Sequence, residues 1–162
     1  MQNHHNNINS SLAFLQDIMN RRLAEFFGKE NATAFSFPEI TIEPDDSPFN
    51  YFLEQHRLNI EEYTILLLAL MPHIRPNFLD SIIQQYLPNG GEFPEIGGVK
   101  GNNHRGTLPT GETALFIIAG NDVERRMQAS SYFSPDHFFI KENILQLESL
   151  NNGEPRMSGK LM

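Results

Sequence analysis

Eight of the chain's 11 glycines fall between residues 90 and 120, and this crowding divides the sequence more sharply than any other feature. Glycine weakens helices and strands alike, so a stretch this rich in it is spent on turns, extended loops or a short hairpin. The residues before it read in steps of three and four, and those immediately after it return to that rhythm. A helical block, a Gly-rich hairpin and then further helices is the order the punctuation implies.

Before the break, Leu12, Leu15, Ile18, Met19, Leu23, Phe26 and Phe27 recur on one helical face, with Ser10 or Ser11 as the expected N-cap and Gly28 as the stop. Residues 1–9 are expected to be a disordered lead. Residues 29–48 read as irregular, with a short strand permitted around Ile40 and Ile42 and kept short by Pro38, Pro44 and Pro48. A helix from Pro48 should turn Phe49, Phe52 and Leu53 inward. Asn59 and Glu62 have the spacing of a capping box. They launch an almost wholly apolar helix, Ile60 to Met71, which is expected to be the central buried element and to stop at Pro72. Pro76 suits the first turn of the next helix, whose face is Phe78, Leu79, Ile82, Ile83, Tyr86 and Leu87.

Within the Gly-rich stretch Phe93, Ile96, Val99 and Leu108 are the apolar anchors expected to hold a hairpin. A buried helix is expected from Glu112 to Ala119, then one from Asp122 to about Tyr132, capped by Asn121 with Glu124. Residues 138–150 read as strand or helix. The end, 151–162, reads as a polar tail whose last apolar residues have no evident partner. The fold class expected is therefore mainly α with a small β-hairpin or wing: a winged-helix-like α+β domain with additional helices. The expected organisation is a lead at 1–9, an N-terminal helix and linker at 10–45, the winged-helix-like domain at 46–150 and the tail at 151–162.

The chemistry is bounded by what is missing. With no cysteine there is no disulfide, thiolate metal site or cysteine nucleophile. The first residues do not read as a signal peptide, and the longest apolar run, Ile65 to Met71, is too short to span a bilayer. A cytoplasmic location is the expectation. A formal net charge of −8 argues against nucleic acid as the main partner. His56, His73, His104 and His137 lack metal-ligand spacing, and no G-x-S-x-G elbow is present.

Two patterns invite a functional reading. Gly106 to Thr113, GTLPTGET, has the glycine spacing of a P-loop. Glu112 stands where the phosphate-binding lysine belongs, however, and Pro109 removes a backbone donor. A turn leading into a buried helix, with Glu112 favourably placed at its positive end, accounts for it. The second pattern is Lys100, Asn103, His104 and Arg105, a basic, amide-rich group on the expected hairpin. These four are the candidate partner-contact residues.

Three stretches, LNIEEYTILLLALMPHIRPNFLD (58–80), FPEIGGVKGNNHRGTLPTGETALFIIAG (93–120) and LESLNNGEPRMSGKL (147–161), together resemble the region ahead of the ATPase module in a group of bacterial AAA-family ATPases known mainly from Bacteroidetes. The resemblance covers roughly residues 50–162. It implies an N-terminal winged-helix-like domain without catalytic residues or cofactor of its own. ATP and Mg²⁺ would belong to a module beyond Met162. It also implies as partners that module and a protein substrate or adaptor, within a homo-oligomer, and a link to contractile, phage-tail-like injection systems. The alternative from the residues is a nucleic-acid-binding winged helix. Against it, Asn77 to Leu87 carries no Lys or Arg and includes Asp80.

Overall fold

The structure is a computed structural model that describes residues 6–28, 34–40, 44–90, 93–100, 106–150 and 153–162, without the side chains of residues 6 and 7. It is mainly helical with one two-stranded antiparallel sheet, the fold class expected. By contact density the chain forms two compact units, residues 1–67 and 68–162, which divide within a helix. The stretch 46–150, expected as one domain, is thus shared between them.

The first unit holds α1 (Asn6–Phe26), α2 (Pro48–His56) and the first half of α3 (Ile60–Ile74). α1 begins inside the expected lead, so residues 6–9 are helical. Ser11 is not its cap: it is buried, and its hydroxyl is hydrogen-bonded to the Tyr63 hydroxyl. Leu12, Leu15, Ile18, Met19 and Leu23 form the buried stripe, but Phe26 and Phe27, expected to continue it, do not: Phe26 is half-buried and Phe27, past the end of α1, is exposed. Arg22 is buried beside the stripe, its guanidinium 3.5 Å from the centre of the Phe35 ring and 3.0 Å from Glu25. Residues 35–40 form no strand, and Ile42 lies outside the described residues. α2 is capped by Ser47, whose Oγ accepts the Asn50 N–H, and Pro48 fills the first turn. Of its expected inward residues only Leu53 is buried; Asn50 takes the other inward place. The Asn59–Glu62 capping box forms both of its bonds, at 2.7 and 3.1 Å. α3 runs through Pro72 to Ile74. A proline this close to a helix end removes one donor, and the Arg75 N–H closes the turn on Met71 O at 2.8 Å.

The second unit holds the rest of α3, α4 (Phe78–Tyr86), strands β1 (Val99–Lys100) and β2 (Thr107–Leu108), α5 (Gly111–Ala119), α6 (Val123–Ser130) and α7 (Phe138–Lys141), with short 3₁₀ turns at Pro94–Ile96, Ser131–Phe133 and Arg156–Ser158. Pro76 lies in the turn before α4, not in its first turn. The core of this unit is α5, buried at Gly111 and from Thr113 to Ala119, with the Phe93 ring edge-on to Phe116. α6 is capped by Asp122, whose carboxylate accepts the Arg125 N–H at 3.1 Å, in place of the expected Asn121–Glu124 pair.

The C-terminal residues are not a free tail. Leu161 is buried and bridges Leu147, while Lys160 bridges Thr110. This corrects the expectation that the last apolar residues lack a partner. No helix among the described residues is long and apolar enough to cross a membrane.

Candidate functional site: the braced hairpin and the turn before α5

Val99 pairs with Leu108 and Lys100 with Thr107, so the hairpin forms from two of the expected anchors. Two residues per strand cannot hold themselves, and the bracing comes from outside. Asp80, in the first turn of α4, accepts the Thr107 N–H at 2.8 Å through Oδ2 and the Thr107 hydroxyl at 2.7 Å through Oδ1. Both carboxylate oxygens are thereby spent on one residue of β2. Just ahead of the other strand Gly97 and Gly98 have φ of +69° and +94°, and the chain lies flat against the start of α5. A Cβ at Gly97 would sit 2.7 Å from Thr110 Oγ1 and 2.9 Å from Glu112 Cβ, a space only glycine fits.

The turn with P-loop spacing serves the same brace. Thr110 caps α5 in a reciprocal box with Thr113 and also accepts the Gly98 N–H at 3.3 Å. The Gly111 N–H donates to Gly159 O at 3.2 Å. Glu112 accepts a charge-assisted bond from Arg126, whose other terminal nitrogen holds Gly120 O at 2.9 Å. Arg126 therefore ties the first turn of α5 to its C-terminal end. The Gly111 and Thr113 donors are thus committed within the chain, and the position where a triphosphate requires a cation holds a paired anion.

Of the four candidate contact residues, Lys100 is exposed at the end of β1; Asn103, His104 and Arg105 lie outside the described residues. Beside the hairpin lies a crevice of about 500 Å³, with Asp80 and Ile83 of α4, Phe93, Pro94, Val99 and Lys100 among its walls. Of the three described histidines, His73 is exposed on α3 and the other two have structural neighbours. His56 stacks on Phe52, and His137 caps α7 by accepting the Phe139 N–H at its Nδ1. Among the described residues no group of three or more His, Asp or Glu is placed to hold a metal ion. Burial raises the pKa of the Tyr63 and Tyr86 phenols above 10.0, and the Ser11 hydrogen bond opposes the shift at Tyr63.

Sequence reasoning missed the Asp80–Thr107 bracket, the Thr110–Thr113 box and the role of Gly159. Only the second had a local signal, a Thr-x-x-Thr spacing directly ahead of an apolar run. No protein-family model, curated protein or solved structure matches the chain.

Proposed function

We propose that this chain is a non-catalytic recognition domain at the amino-terminal side of an AAA-family ATPase, and that it grips a protein substrate or adaptor with the hairpin and the residues at its tip. The observation that carries this reading is the bracing of a very short hairpin from two sides: the Asp80 carboxylate on Thr107, and the Thr110 cap packed against Gly97–Gly98. So much fixation for four strand residues makes sense if the segment between Lys100 and Gly106 must be presented in one place. Rigid scaffolds that carry a polar loop are a common basis of recognition. Lys100 supplies one cation there, and the sequence adds Asn103, His104 and Arg105.

In this reading the chain uses no cofactor. ATP and Mg²⁺ belong to the ATPase module, the assembly is a cytoplasmic homo-oligomer, and the partner is a component of a contractile injection system. Two experiments test it separately. Reading the gene beyond codon 162 tests the architecture: a downstream G-x-x-x-x-G-K-[ST] supports it, and an immediate stop codon rejects it. Capture of a partner from the native host by the tagged chain, compared with a Lys100→Ala/Arg105→Ala variant, tests the hairpin. Equal capture by both proteins would remove the hairpin from the proposal.

A further inference from the structure

The backbone of β2 carries on past Leu108 and changes partner. Pro109 O accepts the Leu161 N–H at 2.9 Å, and Gly159 O accepts the Gly111 N–H at 3.2 Å. On its other side the same C-terminal segment accepts the Glu148 N–H at Lys160 O, 2.8 Å, while Gln146 and Met162 exchange two bonds of 2.9 Å. Residues 159–162 therefore form a short bridging strand, joined to 109–111 and to 146–148 by one single-residue bridge on each side. Packing leaves no slack: a Cβ at Gly159 would lie 2.4 Å from Glu148 O, and one at Gly111 2.8 Å from Met157 O. One short run, 107–111, thus joins the hairpin, the α5 cap and the C-terminal strand.

We propose that the hairpin base and the C-terminal strand open and close as a single unit, so that the state of the hairpin is transmitted to residues 159–162. The physical basis is shared backbone. Proteins open locally in contiguous cooperative pieces whose stability is lower than that of the core. Here the hairpin is held through 107–108 and the C-terminal strand through 109–111, consecutive peptide groups of one unbroken run, whereas α5 beyond its first turn is held by buried side chains. Regulation follows only with the proposed function: a partner that tightens the hairpin would tighten the strand from which a following module departs. The coupling itself stands without that reading.

Amide hydrogen exchange on the 162-residue chain tests it. Asp80→Ala removes the bracket at the far end, and the Leu161 and Met162 amides are expected to lose at least about tenfold more protection than those of Ile117 and Ile118, which report global opening. Coupling is reciprocal, so Gly159→Ala should lower protection of the Thr107 amide beyond the fall at Ile117. Asp80→Asn, which can keep both contacts as neutral bonds, should stay near the parent. If Asp80→Ala does not fold, Thr107→Val, which removes only the hydroxyl, gives the same comparison. Protection at Leu161 and Met162 that is unchanged, or that falls only in step with Ile117, overturns the proposal. A failed partner capture would leave this result standing, and loss of the coupling would leave capture untouched.

Discussion

Glu112→Lys converts Gly106–Thr113 into a complete G-x-x-x-x-G-K-T, so it separates what the motif spells from what the turn does. Sequence logic alone expects the variant to gain MgATP. The geometry expects no binding, because the Gly111 N–H is held by Gly159 O and the Thr113 N–H by Thr110 Oγ1. It also expects damage. The lost partner of Arg126 belongs to a pair whose side chains are 24% and 35% exposed, and a pair this accessible to solvent contributes roughly 0.5–1 kcal/mol after screening. Replacing an anion by a cation in the first turn of α5 costs roughly 0.5–1.5 kcal/mol more against the helix dipole. The sum, about 1–2.5 kcal/mol, lowers the melting midpoint by roughly 2–10 °C for a chain of this size. Thermal unfolding followed by circular dichroism measures the second expectation, and titration calorimetry with MgATP the first. Saturable MgATP binding by Glu112→Lys would show that the turn is free to receive phosphate, and the reasoning about its donors would be refuted.

Gly97→Ala should destabilise by about 2–4 kcal/mol, from a backbone region that only glycine occupies easily plus the clash with Thr110, and chemical denaturation reads it directly. An unchanged midpoint would mean that the hairpin does not lie on α5. Leu161→Ala should cost about 2–4 kcal/mol because the side chain is buried; a loss near zero would return residues 159–162 to the status of a tail. Burial holds the Tyr63 phenol neutral, so its contribution to stability is complete below pH 10.0 and is lost as pH rises through the raised folded value. Absorbance titration of Tyr63→Phe against the parent should therefore show a missing late-titrating phenol, and a missing early one would contradict its burial.

What could be read in advance was whatever the sequence encodes within a few residues. The Asn59–Glu62 box, the α1 stripe from Leu12 to Leu23 and the α5 run stopped by Gly120 are local statements, and each forms at its place. Errors arose where two local signals competed. Asn121 and Asp122 are both good caps, and the choice fell on Asp122. Pro72 sits so near the end of α3 that the helix could absorb it. What stayed hidden was non-local. Asp80 and Thr107 stand 27 residues apart, and neither announces the other. Single-residue bridges such as Leu147–Leu161 and Thr110–Lys160 are too short to leave an alternation. The partner-contact residues divide likewise: Lys100 is placed at the hairpin by its own strand pairing, and Asn103, His104 and Arg105 lie outside the described residues.

The alternative reading, a nucleic-acid-binding winged helix, can be weighed through α4. A recognition helix needs cations facing phosphate and donors facing bases. α4 has no Lys or Arg from Phe78 to Tyr86, and its one charged residue is an acid. That acid is not incidental: with both oxygens on Thr107 it is the bracket of the hairpin, so exchanging it for Lys or Arg would make α4 basic only by loosening the wing beside it. The same residue thus opposes DNA electrostatically and supports the hairpin mechanically. At the hairpin itself Lys100 and Arg105 are the only Lys or Arg, in a chain of net charge −8. Two phosphate contacts predict a log–log salt slope for duplex DNA no steeper than about −2. Fluorescence anisotropy across a salt series measures it. A slope steeper than about −4, abolished by Lys100→Glu, would need more cationic contacts than the hairpin can supply, and nucleic acid would then displace protein as the partner to be sought.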